Sequence, residues 1–449
     1  MTILQPLSRL PNGLFWTAAL SSDSDFTAED PLALDYLAQQ VGLWLFRGFT
    51  TRTARAQNYV VVLYGLYLAD KAAEKFGYPG DDETRTKLFE RWERFWALAT
   101  LECRMGQLSR GDEDAMRGIR GAKRAWFPGN APLPADFSLI SRQIELGGLG
   151  AYLSSLREYG LVLPGTLRVA PSAREILEAF WSEKAERDMS GLYENYVLEA
   201  MAFDSKTIPR SKGRLTLGGL GDRSRLSCFR WWNRRDQQGR LWNTLFVNAR
   251  DDSTLLLAEC VIAARKSKVE DPEQILEGMI DGRWRPLPSS VRDKVEVALL
   301  FGRVARLLLG RFNRAYRYIE EHGWVADIAA VAAACFPGDE AEELSQACWD
   351  LLNVPGCRRF AALQFHGPDF LALIRRLVTS GPTDSLEHLL AFHRAVQRSR
   401  RGGGAWLRAE HGKLLMQVPG YAGYTTDAGF PSFKLNVVRQ LLEDLGKLP

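Results

Sequence analysis

A chain of 449 residues with 46% hydrophobic and 25% charged content has the make-up of an ordinary globular protein, long enough for two to four domains. Its formal net charge of +4 is too small to imply polyanion binding on its own, so any argument for nucleic acid has to come from local clustering of cations. The six cysteines (Cys103, Cys228, Cys260, Cys335, Cys348 and Cys357) stand far apart without a C-x-x-C pair, which argues against a zinc ribbon or a disulfide framework and fits a reducing, cytoplasmic setting.

Residues 1–33 lack periodicity and carry no basic segment followed by a long apolar core, so an irregular arm is expected and no secretory signal. Leu34, Tyr36, Leu37, Val41, Leu43, Trp44 and Leu45 predict a buried helix over 32–48, and a second follows over 53–77. The latter holds the most apolar window, Tyr59 to Ala69, which is too short to cross a bilayer, so no membrane partner is expected. After the breaker at 78–82, Leu88, Trp92, Phe95, Trp96, Leu98 and Leu101 mark a third helix over 83–106. The Pro- and Gly-rich loop at 126–134 sets the first domain boundary.

From Ser138 to Lys184 the pattern changes. Leu149, Tyr152, Leu153 and Leu156 fall at helical spacing, Gly160 stops that helix, and Leu161-Val162-Leu163 and Leu167-Arg168-Val169 flank a Pro-Gly turn. Pro171 and Ser172 open another helix with Ile176, Leu177, Phe180 and Trp181 on its inner side. Helix, glycine, small hairpin, helix is the order of winged helix-turn-helix domains, and the phrase from Tyr152 to Val162 resembles the end of such a module. The resemblance covers about a tenth of the chain. It implies base-edge contacts from Tyr152, Ser154, Ser155 and Arg157, with Arg142 and Arg168 on phosphates.

Another helix is expected over 183–203. Between Lys206 and Arg250 stand eleven basic residues (Lys206, Arg210, Lys212, Arg214, Arg223, Arg225, Arg230, Arg234, Arg235, Arg240, Arg250) against Asp222 and Asp236, with Phe229, Trp231, Trp232, Trp242 and Phe246 among them. Such a mixture suits phosphate contacts, with the tryptophans as core. Helices resume at 253–267 and 271–279, and a long one spans 290–321. On it Arg303, Arg306, Arg311, Arg314 and Arg317 share one arc of roughly 140°, opposite Val304, Leu308, Phe312, Ala315 and Ile319. No acid lies between Glu296 and Glu320 to neutralise that arc. Further helices are predicted at 326–335, 340–352, 369–379, 385–401 and 433–445, with a hairpin turning near His411-Gly412.

Signals for catalysis are weak. No phosphate loop, zinc helix or nucleophile elbow occurs, the glycines at 217–221 lack the spacing of a dinucleotide site, and no cofactor is expected. His388 and His393 point about 140° apart on a helix and would not share a metal. Asp251, Asp252 and Glu259 hint at a metal site but lack the Glu-x-Lys that completes one. Arg359 and His366 resemble the R-x(4–6)-H motif of helical HEPN ribonucleases, although Phe360 stands where a polar residue is usual and Gly367-Pro368 ends the segment.

The sequence therefore predicts a mainly α, multi-domain helical protein with an embedded winged-helix-like module and a small C-terminal β-hairpin. Four segments are expected: an N-terminal helical domain (1–130), the winged-helix-like module (131–185), a helical domain with the basic stretch and the arginine-striped helix (186–330), and a C-terminal helical domain (331–449). The expected role is that of a non-enzymatic subunit of a bacterial multi-protein system, in anti-phage defence or mobile-element machinery, holding double-stranded DNA beside other protein subunits. The alternatives are a scaffold docking an acidic partner and a HEPN-like ribonuclease.

Overall fold

The computed structural model describes residues 30–103, 117–126, 132–181, 190–208, 210–211, 214–215, 234–399, 404–418 and 428–448. Within them the chain is mainly helical, with small antiparallel β elements. It divides into two compact units, each assembled from two separated stretches: Met1–Leu45 with Ser267–Phe433, and Phe46–Lys266 with Lys434–Pro449. The division falls elsewhere than the four consecutive segments expected from sequence.

Helix α1 (Leu34–Leu45) belongs to the first unit, and the second begins with α2 (Ala56–Phe76). Gly77 stops α2 at a φ of +67°, the left-handed cap that glycine adopts without a steric penalty. Tyr59, Leu63, Tyr64, Leu66, Leu68 and Ala69 are all buried, so α2 is apolar nearly all round. Helix α3 (Asp82–Cys103) meets it at Gly65, where a Cβ would lie 2.1 Å from the Trp92 ring. The bare glycine lets the indole sit against the backbone, and Trp92 Nε1 donates to the Val61 carbonyl at 2.9 Å.

Short elements complete this unit: α4 (Ile119–Ala125), β1 (Leu133–Pro134), α5 (Gln143–Leu146), α6 (Gly148–Glu158), α7 (Arg174–Glu178) and α8 (Ser190–Met201). Strand β2 (Thr207–Ile208) pairs with β1, and β3 (Arg210–Ser211) with β4 (Arg214–Leu215). Then come α9 (Arg235–Trp242), which runs into a π turn, and α10 (Ser253–Lys266). The helix Leu435–Asp444 returns to α10 and α2. There Asp444 accepts from the Ala56 N–H at 3.0 Å and pairs with Arg55 at 2.9 Å, capping α2 from the far end of the chain.

The first unit is built round α12 (Ser289–Glu321), which packs against α1, α11 (Pro272–Ile280), α13 (Ile328–Cys335) and α14 (Gly338–Asn353). Val295, Phe301, Val304, Leu308, Phe312, Ala315 and Ile319 form its buried face. At Gly302 a Cβ would meet the Phe430 ring at 2.3 Å, so the glycine admits that ring to the helix backbone. The 3₁₀ segment Pro355–Ala362, α15 (Gly367–Leu377) and α16 (Pro382–Ser399) complete the helical layer.

A three-stranded antiparallel sheet in the order β5 (Val325–Asp327), β7 (Lys413–Met416), β6 (Leu407–Glu410) lies beside them. The hairpin turns at His411 and Gly412, with φ of +48° and +77°, as two-residue turns with both central φ positive do. Strand β5 occupies the start of what the sequence presents as one helix from 326. Fully buried His393 accepts from the Trp406 N–H through Nε2 at 2.9 Å, so its proton sits on Nδ1, 2.8 Å from the Pro31 carbonyl. Both ring nitrogens are thereby used in packing.

Glu93 and Lys434, both in the second unit, titrate far from their ordinary ranges. The Glu93 carboxylate lies under the start of α6, where it accepts from Gly148 N at 2.6 Å and Gln143 Nε2 at 2.9 Å. Burial outweighs those bonds and pushes it up to about 7. Burial also pushes Lys434 down to about 7, while its Nζ donates to the Phe49 carbonyl at 2.6 Å. Between the ordinary glutamate value of 4.5 and about 7, only the folded Glu93 keeps its proton, so stability falls as pH rises. Between about 7 and the ordinary lysine value of 10.5, only the unfolded Lys434 is protonated, so stability rises with pH. At about 1.4 kcal/mol per pH unit the acidic limb amounts to about 3 kcal/mol and the alkaline limb to about 5 kcal/mol. We predict a minimum in melting temperature near neutrality, with Glu93→Gln flattening the acidic limb and Lys434→Met the alkaline one. A maximum at neutral pH in thermal scans would refute both assignments.

Candidate nucleic-acid interface

The five arginines of the predicted arc on α12 are occupied within the first unit. Arg303 places Nε 2.8 Å from Glu273 and Nη2 2.5 Å from Glu277. Arg306 takes the other oxygen of Glu273 at 2.6 Å. Arg314 meets Glu340 at 2.8 Å, Arg311 pairs with the same carboxylate and donates to its backbone oxygen at 2.9 Å, and Arg317 pairs with Glu321 at 2.9 Å. Glu273 and Glu277 stand one turn apart on α11, so packing α11 along α12 delivers two carboxylates to the arginine arc. Glu340 comes from the start of α14. The expectation of an arc without neutralising acids is corrected here: for Arg303, Arg306, Arg311 and Arg314 the acids arrive from other helices, 26 to 33 residues away in sequence, and for Arg317 from Glu321 at the end of α12.

Arg311 is buried, with its side chain only 4% exposed. Burial raises the Glu340 carboxyl, but the hydrogen bonds and charges of Arg311 and Arg314 outweigh it and hold the group below the usual glutamate range. These contacts join three helices of one unit.

In the winged-helix-like segment the predicted order of elements appears. Helix α6 ends at Gly160 (φ +69°), and Leu161–Ala170 folds back about the Pro164-Gly165 turn, with a Val162–Val169 bridge. Leu163 N donates to the Arg168 carbonyl and Ala170 N to the Leu161 carbonyl, both at 2.9 Å. The helices on either side are short, and nothing identifies the segment specifically as a winged-helix module.

The face of α6 expected to read bases is largely turned inward. Tyr152 is buried against α2: its hydroxyl donates to the Arg55 carbonyl at 3.2 Å and accepts from Asn58 Nδ2 at 3.2 Å. Ser155 is buried too, its hydroxyl 2.7 Å from that of Tyr59. Arg157 donates to the Thr166 carbonyl at 2.7 Å and so staples α6 to the hairpin. Only Ser154 of these four is exposed. Placing Tyr152 and Ser155 at base edges is thus corrected, because α6 spends that face on α2.

The remaining predicted residues divide. Arg142 is exposed but paired with Glu145 at 3.2 Å, and Arg240 pairs with Glu175 at 2.9 Å. Arg234 is buried. Arg223, Arg225 and Arg230 lie outside the described residues. Arg168, on the hairpin, and Arg235, at the start of α9, are exposed without a carboxylate partner among the described residues. Arg250, counted in the basic stretch but not singled out, shares that state, and its guanidinium lies 3.3 Å from the place a Cβ would take on Gly160.

The chemical alternatives also find their places. Asp251 accepts from the Ser253 N–H at 3.0 Å at the entrance to α10, a capping role. Among the described residues no three His, Cys, Asp or Glu side chains converge on a metal position. Burial pushes the thiols of Cys260 and Cys357 up to about 11 and those of Cys335 and Cys348 to about 12, which leaves them protonated and unreactive. Arg359 sits in the 3₁₀ segment with its guanidinium over the Trp44 ring, 5.9 Å from the centroid. His366 is left-handed (φ +60°) and packs edge-on to Tyr36. A shallow cleft of about 330 Å³ in the second unit is lined by Tyr196, Glu199, Asp204 and Ser205. No described helix is long and apolar enough to cross a membrane. No family model, curated protein or solved structure matches the chain.

The ion pairs of α12 carry a consequence for stability. Glu340→Ala leaves Arg311 buried without its carboxylate and is expected to cost about 2–3 kcal/mol, read by urea unfolding. The triple variant R306E/R311E/R314E is expected to disrupt folding itself. A wild-type melting temperature for either would show that the pairs are not structural.

Proposed function

We propose that the protein is a non-enzymatic nucleic-acid-binding subunit that holds duplex DNA by its backbone, through cations exposed on the second unit. The observation that carries the reading is Arg168, held outward on the Leu161–Ala170 hairpin with no carboxylate partner among the described residues. Arg250 beside Gly160 and Arg235 on the neighbouring α9 add to it. Helix α9 packs on α7, directly after the hairpin, and Gln237 donates to the Ala179 carbonyl at 2.8 Å, so these cations stand on one framework. In a winged arrangement the hairpin lies along phosphates. With Tyr152 and Ser155 buried, affinity in this reading comes from counterion release, with little discrimination of sequence. The arginines of α12 have no part in it.

The same exposed cations would serve a scaffold that docks an acidic protein, and the experiment separates the two. Retention of a labelled duplex should fall with salt at a slope of about −3 in log–log form, as three phosphate contacts require. The R168E/R235E/R250E variant should lose that retention while keeping its melting temperature. Undiminished binding by the variant, or no duplex binding alongside a stable acidic protein partner, would overturn the proposal.

A further inference from the structure

The first unit carries a second surface of different chemistry. Phe365 lies between the 3₁₀ segment and α15 with 51% of its area exposed, unusual among the described phenylalanines, most of which are buried. It is held in place. The next N–H but one, from Gly367, donates to its carbonyl at 2.7 Å, and a Cβ on Gly367 would sit 2.0 Å from the Phe360 carbonyl, so the backbone is pressed onto the buried Phe360. From the side, Tyr36 of α1 meets the Phe365 ring edge-on at 6.2 Å and the His366 ring at 6.0 Å. Further along α1, partly buried Trp44 carries the guanidinium of Arg359.

The exposed charge on the segments around these rings is mostly positive, Arg358, Arg359 and Arg398 against Asp35 and Asp369. Arg358 and Arg359 are exposed and have no carboxylate partner among the described residues, in the same unit where five of the six arginines of α12 do. Arg398 is likewise exposed and unpaired there, next to Ser399, whose hydroxyl lies 3.4 Å from His366 Nε2. Trp349 on α14 supplies the contrast: it is 52% exposed but stands next to Asp350, on a helix that also bears Glu342 and Glu343.

We propose that Phe365, braced by Tyr36 in a unit that also exposes Arg358, Arg359 and Arg398, is a binding surface for single-stranded nucleic acid. A fixed, water-exposed ring offers a platform for a base, and guanidinium groups with no carboxylate partner among the described residues offer charge to the adjoining phosphates. A duplex keeps its base faces stacked on one another, so a strand with open bases is the form that fits. This surface is separate from the duplex-binding residues of the second unit and stands or falls without them.

Fluorescence anisotropy of a labelled short oligothymidine with the full chain tests it. Phe365→Ala should weaken binding about ten-fold, Phe365→Tyr should restore it, and Trp349→Ala should leave it unchanged. Replacing Arg358 and Arg359 together by alanine should weaken binding and reduce the salt slope by about one. Circular dichroism and melting temperature should be those of the parent chain, since each of these side chains is at least half in solvent or lies on an exposed turn. Binding that ignores Phe365→Ala overturns the proposal, as does equal capture of a polyglutamate competitor, which would mark a docking site for acidic protein. Loss of duplex retention in R168E/R235E/R250E with intact oligothymidine binding would separate the two surfaces.

Discussion

Ion pairing between α12 and its neighbours is the constraint on which the first unit depends. A 33-residue helix with one apolar face can bury that face against several partners, and apolar contact alone does not say at which rotation each partner docks. The guanidinium groups supply that information. Glu273 and Glu277 accept only if α11 presents one flank, and Glu340 reaches both Arg311 and Arg314 only if α14 starts where it does. Burying Arg311 without Glu340 would strand a charge, so misdocked arrangements are penalised more than the native one is favoured. Specification of register is therefore the clearest role of these arginines.

Helix positions were legible in the sequence because periodicity reports them directly. The long helix predicted over 290–321 is Ser289–Glu321, and that over 53–77 is Ala56–Phe76. The C-terminal hairpin was legible from His411-Gly412. Short elements such as α4 and α9, and strand β5, were not, since a few residues make too little pattern to register. The partners of the α12 arginines were hidden for a different reason: their separation in the chain has no local trace. One trace did exist, in the one-turn spacing of Glu273 and Glu277 on a helix next to the arginine stripe.

The α6 positions show a conflict within the sequence itself. Tyr152 belongs to the apolar stripe that predicts the helix and also to the set that would read bases. A residue cannot serve both faces, and burial decided it, with Ser155 following one turn along the same side. A polar residue at core spacing is better read as satisfied inside, here by Tyr59, than as a contact awaiting a ligand. Phe365 is the converse: its sequence neighbourhood carries no periodic signal, so only the structure tells that the ring is outside.

The capping of α2 by Asp444 has a bearing on biosynthesis. The amide of Ala56 and the guanidinium of Arg55 find their acceptor in residues translated almost four hundred positions later. The first unit is likewise interrupted, because α1 is made well before the helix it packs on. On the ribosome neither half can close early, and apolar α2 emerges long before its last cover does. Such an order of appearance exposes sticky surface for most of elongation and makes the nascent chain a natural client for holding chaperones.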